Sequence, residues 1–384
     1  MKKILLLLIP VLFLTGCTIN DNKEPDKPST EDFDTFEEFI PLDFDNDYGR
    51  HDIIAYDNNL DQNTNATVRV RAVYKLNGQV TYTLASGFVY SKNEEKNDYY
   101  IVTSASQIAY KSVSSNSVDL FYEGVFEVTL NDARKYKSDY IASYAEYDIA
   151  LFKIHTLDYM PTAIIGDSDA LRVGNDVSVI GTPNVAMNLI NSYAKGVVSG
   201  LNRRGSSIYG NNKTLYTFPT FQFDAPTNMG MEGGIVMNDK FEVVGITSTK
   251  QHEDLKFESL SFAVAINDAK PIIEQLINNG KVDKTVLGFS GASIDFMNKV
   301  NWASELGYYS GIYVVDVIED SKAKNAGLEK ETLIIGISVN DNQKININNM
   351  EEFQSHLIRL TKDDVLTLYT VNSSNIKKVI KITI

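Results

Sequence analysis

The chain has 384 residues, 43% hydrophobic, 10% aromatic and 22% charged, values that exclude wholesale disorder and fibrous repeats. At roughly 150 residues per domain this length provides for two or three domains. A formal net charge of -14 argues against a nucleic-acid binder; the single cysteine, Cys17, excludes an intrachain disulfide and Cys-ligated zinc; four scattered histidines make no metal centre, and no cofactor is expected.

The N-terminus reads as an export signal over residues 1–16. Lys2 and Lys3 precede an apolar run, Ile4 to Leu14, that is too short to span a bilayer core of about 30 Å. The run ends in Leu14-Thr15-Gly16-Cys17, which resembles the lipobox of bacterial lipoproteins. That resemblance implies a diacylglyceryl group on Cys17, cleavage before it, and an extracytoplasmic, membrane-anchored body. Two acyl chains anchor stably where one does not.

Residues 17–61 read as the lipidated cysteine and an acidic tether. Positions 18–61 carry 14 acidic and 3 basic residues, a net of -11 and most of the chain's charge. Such a segment repels itself and anionic headgroups and extends. Within it, Phe36 to Phe44 adds apolar residues able to dock on the body.

From Thr67 to about Ala265, short runs rich in Val, Ile, Tyr and Phe recur between turn signals: residues 67–74, 99–104, 148–154, 176–181 and 241–248. Recurrent short strands of this kind predict a sandwich or barrel. Residues 267–280 follow with Ile272, Ile273, Leu276 and Ile277 at helical spacing, closed by Gly280. Strands resume from Val286, broken by an amphipathic stretch, 350–360, with Phe353, Leu357 and Leu360 on one face. No repeat of 20–50 residues is present.

Several stretches in order resemble the HtrA/Deg serine proteases. Ala85-Ser86-Gly87-Phe88-Val89, Tyr147 to Ile154, Ile165 to Gly174 (IGDSDALRVG), Ile180-Gly181-Thr182-Pro183, Gly196 to Arg203 and Phe262 to Ile266 each match a family segment. The resemblance implies a mostly β fold: a chymotrypsin-like double β-barrel over residues 62–280, with its C-terminal helix, then a C-terminal α+β PDZ domain over 281–384.

The catalytic residues depart from that pattern. A triad requires a nucleophilic hydroxyl, an imidazole base and a carboxylate that orients it. Where the family has histidine, this chain has Ser106; the aspartate is present as Asp148; where the family has the serine of GNSGGP, Glu232 stands in Gly230-Met231-Glu232-Gly233-Gly234. Asp224, Ala225 and Asn228 precede it at the usual spacing. Losing the nucleophile or the base of a triad alone costs on the order of 10⁶ in kcat in the subtilisin case. Serine has no pKa suited to general-base work near neutrality. The Glu232 carboxylate is expected to fold onto the donors of the oxyanion-hole remnant, Gly230 among them. None of His51, His155, His252 and His356 lies near the vacated position in sequence. A glycosidase-like pairing of Asp148 with Glu232 lacks a sugar-binding aromatic set.

In the C-terminal module, Val286 with Leu287, Gly288 and Phe289 resembles the PDZ carboxylate-binding loop, and Asp320 to Leu328 resembles the turn that follows the next strand. Glu331-Thr332 replaces the family's Gly-Asp. The resemblance implies that a peptide tail adds a strand beside Leu287, Gly288, Phe289 and Ser290, with 350–360 closing the groove.

These readings describe a lipid-anchored pseudoprotease that binds polypeptide segments or C-termini as adaptor, scaffold or holdase at the cell envelope. The first alternative is an active serine endopeptidase with a rearranged site. The second is a subunit assembled with an active homologue, although residues 57–66 lack the aromatics through which family members trimerise.

Overall fold

The computed structural model describes residues 47–76, 79–113, 118–121, 124–183, 189–209, 213–248, 259–294 and 300–384. The export signal, Cys17, the tether as far as residue 46 and His252 lie outside the described residues.

Strict alternation drives the first barrel. In β1 (Thr67–Leu76), Val68, Val70, Ala72 and Tyr74 are fully buried, while Arg69 and Arg71 point outward. β2 (Gln79–Asn93), β3 (Asp98–Ser104), β6 (Val125–Thr129), β7 (Lys135–Tyr144) and β8 (Ile149–His155) supply the other walls. They close in the order β1-β2-β3-β8-β7-β6 around Val70, Ile101, Val128, Tyr136 and Phe152. A small hairpin, β4 (Tyr110–Val113) with β5 (Val118–Phe121), stands apart.

The second barrel closes as β10-β11-β14-β13-β12-β9. Its strands are β9 (Asp176–Gly181), β10 (Ser192–Tyr209), β11 (Lys213–Phe223), β12 (Ile235–Met237), β13 (Val243–Thr247) and β14 (Ser261–Ala265). A separate apolar cluster joins the two barrels: Phe88, Val102 and Leu151 from the first meet Ile180, Phe218, Ile235 and Ile246 from the second. A helix seals the same cluster. It spans Ile266–Asn279 and buries Ile272, Ile273 and Leu276; Gly280, at φ 67°, ends it by donating its N–H to the Leu276 carbonyl.

The third unit is a sheet ordered β15-β16-β17-β19-β20, with β18 on β17. Its members are β15 (Phe289–Ser293), β16 (Ile312–Val317), β17 (Leu333–Val339), β18 (Ile345–Asn346), β19 (Val365–Val371) and β20 (Lys377–Thr383). The helix Met350–Ile358 packs beside β15; the Asn349 side chain caps it by accepting the Glu352 N–H. Its other face meets the second barrel and the preceding helix. Arg204 pairs with the buried Glu351 at 2.6 Å, and Arg359 and Ser355 both reach the buried Asp268, at 2.7 and 2.8 Å. The order of elements and both barrels match the mostly β class expected, with a third sheet consistent with a PDZ domain.

At residues 47–61 the structure differs from a solvated tether. Residues 47–56 form a strap under the first barrel. Asp158, fully buried, accepts the N–H groups of Tyr48 and Arg50, both at 2.7 Å, and the Tyr136 hydroxyl. Tyr159 N–H returns a bond to the Arg50 carbonyl. A short helix, Asn59–Ala66, follows. Its Asn63 is fully buried, donating to the Phe241 carbonyl and accepting from Ile164 N–H. Paired buried polar groups of this kind fix a segment whose composition alone reads as solvated.

Candidate functional site

The end of β3 and the turn before β8 place the first three site residues. Ser104 ends β3 and pairs with Ile149 at the start of β8. Asp148, immediately before β8, is left-handed at φ 56°, a conformation that short polar side chains tolerate. Its carboxylate turns back onto the β3 end: one oxygen accepts Ser106 N–H at 2.6 Å and the other accepts the Ser104 hydroxyl at 2.9 Å. The Ser104 and Ser106 hydroxyls are 3.1 Å apart. All three residues are buried. Asp148 therefore grips a backbone amide and a hydroxyl.

Glu232 sits in a loop with little freedom. Gly230 and Gly233 are left-handed, at φ 93° and 83°. A Cβ on Gly233 would stand 2.3 Å from the Ser86 carbonyl oxygen, so no side chain fits there. Glu232 carbonyl accepts Ser86 N–H at 2.9 Å, and Gly233 N–H donates to the Thr247 carbonyl at 2.8 Å, tying the loop to both barrels. The Glu232 side chain is buried, and its carboxylate accepts Gly230 N–H at 2.7 Å. A carboxylate on a backbone amide is a charge-assisted bond, shorter and stronger than a neutral one. Ser86, legible in sequence only as part of a strand motif, is the hub of this region: its hydroxyl donates to the Gly230 carbonyl and accepts from Thr182 N–H.

The histidines lie elsewhere. His155, at the end of β8, pairs with Asp98 across the end of β3 opposite to Ser104. His51 is in the strap beside Asp47. His356 is on the Met350–Ile358 helix, where burial, and then Arg359, hold its imidazole pKa below the ordinary value. One trio among the described residues, Asp47, His51 and Asp158, brings potential ligand atoms together; Asp158 already accepts the strap's two amides and a tyrosine hydroxyl there.

In the third unit, β15 is an edge strand, bonded among the described strands to β16 alone. Leu287 is buried, Gly288 is left-handed at φ 84°, Phe289 opens the strand and Ser290 is exposed. A Cβ on Gly288 would lie 2.2 Å from the Ser321 Cβ. The Phe289 and Phe353 rings pack on each other, with centroids 5.9 Å apart, and Met350 N–H donates to Ser293 Oγ, tying the helix to β15. At the departure from the family turn, Glu331 holds a left-handed backbone at φ 62° and Thr332 Oγ1 donates to the Glu329 carbonyl.

Two closed six-stranded barrels with a cleft between them, built on the Gly230–Gly234 loop, define the trypsin-like peptidase class. Residues 85–246 match the trypsin-like peptidase domain family. Serine protease Do-like HtrB of Bacillus subtilis (strain 168) is 31% identical over 261 residues, 67% of this chain and 53% of that protein. Serine protease Do-like HtrA of the same organism is 32% identical over 257 residues, 66% of this chain and 53% of that protein. The chain thus spans about half the length of these relatives. Among solved structures, the HtrA-type protease AlgW with tripeptide aligns with a TM-score of 0.60 at 21% identity, covering 86% of this chain and 96% of that one, a likeness of fold. The barrel domain of this chain belongs to the HtrA/Deg-type trypsin-like peptidase family. Relatives at lower identity include one named a periplasmic pH-dependent serine endoprotease, DegQ of Escherichia coli (strain K12). Among the described residues no helix is long and apolar enough to cross a membrane.

Proposed function

We propose that this chain is an HtrA-like pseudoprotease, held outside the cytoplasm by a lipid on Cys17, that binds polypeptide C-termini through the edge strand of its third unit. The observation that carries the reading is the Glu232 carboxylate on Gly230 N–H. In this reading the family's nucleophile position holds an acid that occupies an oxyanion donor, where an active site keeps that donor for the charge developing in the transition state. Ser106 at the base position supports it, because Ser104 and Ser106 have a carboxylate neighbour and no imidazole beside them among the described residues.

Binding needs neither group. An extended tail would pair with the free edge of β15, its carboxylate meeting the Leu287–Gly288–Phe289 loop and its last side chain the half-buried Phe289 beside the Met350–Ile358 helix. Partners are polypeptide tails or segments, with an active homologue among them in the assembly reading.

The test is fluorescence anisotropy of the full chain with labelled peptides ending in an apolar residue, with casein turnover followed in the same preparation. Binding is expected, with loss of at least about tenfold, the equivalent of 1.4 kcal/mol, when the peptide carboxylate is amidated. Equal binding of free and amidated tails, or casein cleavage, contradicts the proposal.

A further inference from the structure

The two faces of β15 offer a bound tail different chemistry. Phe289 stands opposite Val317 and Ser293 opposite Ile312, and these residues turn toward the core of the third unit. Ser290 and Ala292 alternate onto the other face, where Ser290 stands opposite Asp316 and Ala292 opposite Tyr313. A register shift between Ser290 and Gly291 leaves Val315 unpaired on β16, and Val315 is exposed.

Asp316 is the charged group of that face nearest the edge. It is exposed and makes no side-chain hydrogen bond or ion pair among the described residues. Lys324, on the following turn, is held by Glu319 at 2.8 Å, and Asp316 acts on it only through space. Lys322 belongs to the other end of the groove: its neighbours Ser321 and Ala323 bond the Gly288 and Leu287 carbonyls, which sets it beside the carboxylate loop. Further along the Asp316 face, burial and then the Glu331 carboxylate raise the Tyr313 phenol pKa. The field beside the outer half of β15 is therefore negative.

A tail antiparallel to β15, with its carboxylate at the Leu287–Gly288 loop, sets its last residue opposite Phe289 and its penultimate residue opposite Ser290. The last side chain then shares the core face, and the penultimate one shares the face of Ser290 and Asp316. Neighbouring strands lie about 4.8 Å apart, so the penultimate residue is two strands, about 10 Å, from Asp316. Between them on that face stands Ser290, small and exposed. A lysine or arginine bridges such a gap with its stem on apolar surface and its head at the carboxylate; exposed Val315 and Ile318, on either side of Asp316 in the chain, supply that surface.

We infer that the tails this groove selects carry a lysine or arginine at the penultimate position, met by Asp316, ahead of an apolar last residue. The inference rests on the tail-binding reading above and names the class of tail.

Its test is anisotropy of the full chain with three labelled tails, alike except for a penultimate lysine, alanine or glutamate. At low salt the lysine tail is expected to bind about fivefold more tightly than the glutamate tail, with the alanine tail between them. In 1 M salt, where the screening length is about 3 Å, the ratio is expected to shrink to about twofold or less. Asp316→Asn removes an exposed charge with no hydrogen bond to lose, and is expected to bring the low-salt ratio to about twofold or less. Failure of all three tails to bind overturns the tail-binding reading and this inference with it. Equal binding of the three, tighter binding of the glutamate tail, or a lysine preference that survives Asp316→Asn overturns this inference alone.

Discussion

The cleft between the barrels and the edge of the third sheet have kept different things. In the cleft the backbone frame is intact: the left-handed Gly230 and Gly233, the Ser86 and Thr247 bonds to the loop, and the Asp148 turn. Its side chains are, in the proposed reading, where the family pattern is lost, with Ser106 and Glu232 at the positions assigned to base and nucleophile. At the edge strand, function rests on backbone geometry, and that geometry is present: an unpaired strand edge, a left-handed glycine and an apolar wall. In the proposed reading, two substituted side chains remove the chemistry and leave backbone recognition as the fold's capability. That is why the proposed function is binding.

The comparison breaks most sharply under substitutions that strike one region alone. The largest effect is expected at Gly233→Ala, which forces a Cβ to 2.3 Å from the Ser86 carbonyl at a left-handed position. Loss of about 3 kcal/mol or more, read by urea denaturation of the barrels, is expected. Asp268→Ala follows. It leaves the Ser355 hydroxyl without its acceptor and Arg359 with Asp169 alone, and a loss of about 1–3 kcal/mol is expected. Calorimetry should show it as weakened attachment of the third unit. Asp148→Ala orphans Ser106 N–H and the Ser104 hydroxyl, with an expected loss of about 1–3 kcal/mol and no change in tail binding. If tail binding falls with it, the two regions are not separable.

Smaller effects sharpen the same contrast. His356 has its pKa held below its usual 6.5, so the unfolded chain takes up the proton first as pH falls. Its contribution is therefore present above about pH 6.5 and lost as pH drops through that value. Melting temperature is expected to decline from pH 7 to 5, and His356→Gln to flatten the decline. The smallest effect is expected at Glu331→Gly, which relieves a left-handed side chain and should stabilise by about 0.5–1 kcal/mol.

Much of the architecture was legible because it rests on periodicity and ordered motifs. β1 alternates from Val68 to Ala72, with Arg69 and Arg71 between buried apolar residues, and the helix ending at Gly280 announces its apolar face and its cap. The strap and the Asn59–Ala66 helix were not legible. The helix has three asparagines and weak intrinsic propensity, and it is fixed by Asn63 bonding to two distant backbone groups. The strap depends on Asp158, over 100 residues away, whose burial no local pattern signals. Of the candidate site, the positions of Ser106, Asp148 and Glu232 follow from spacing to recognisable neighbours. The partnership of Ser104 with Asp148 was not foreseen, because it depends on which way a left-handed residue turns its carboxylate.

The most direct test of the account compares the full chain with its Ser106→His, Glu232→Ser double variant, measuring fluorophosphonate labelling and casein turnover side by side. The account predicts that the native chain does neither and that the double variant labels and gains turnover by at least about 10³-fold, part of the roughly 10⁶ that a complete triad supplies. A native chain that labels and cleaves contradicts it and makes the protein an enzyme with a nucleophile other than the residue at position 232.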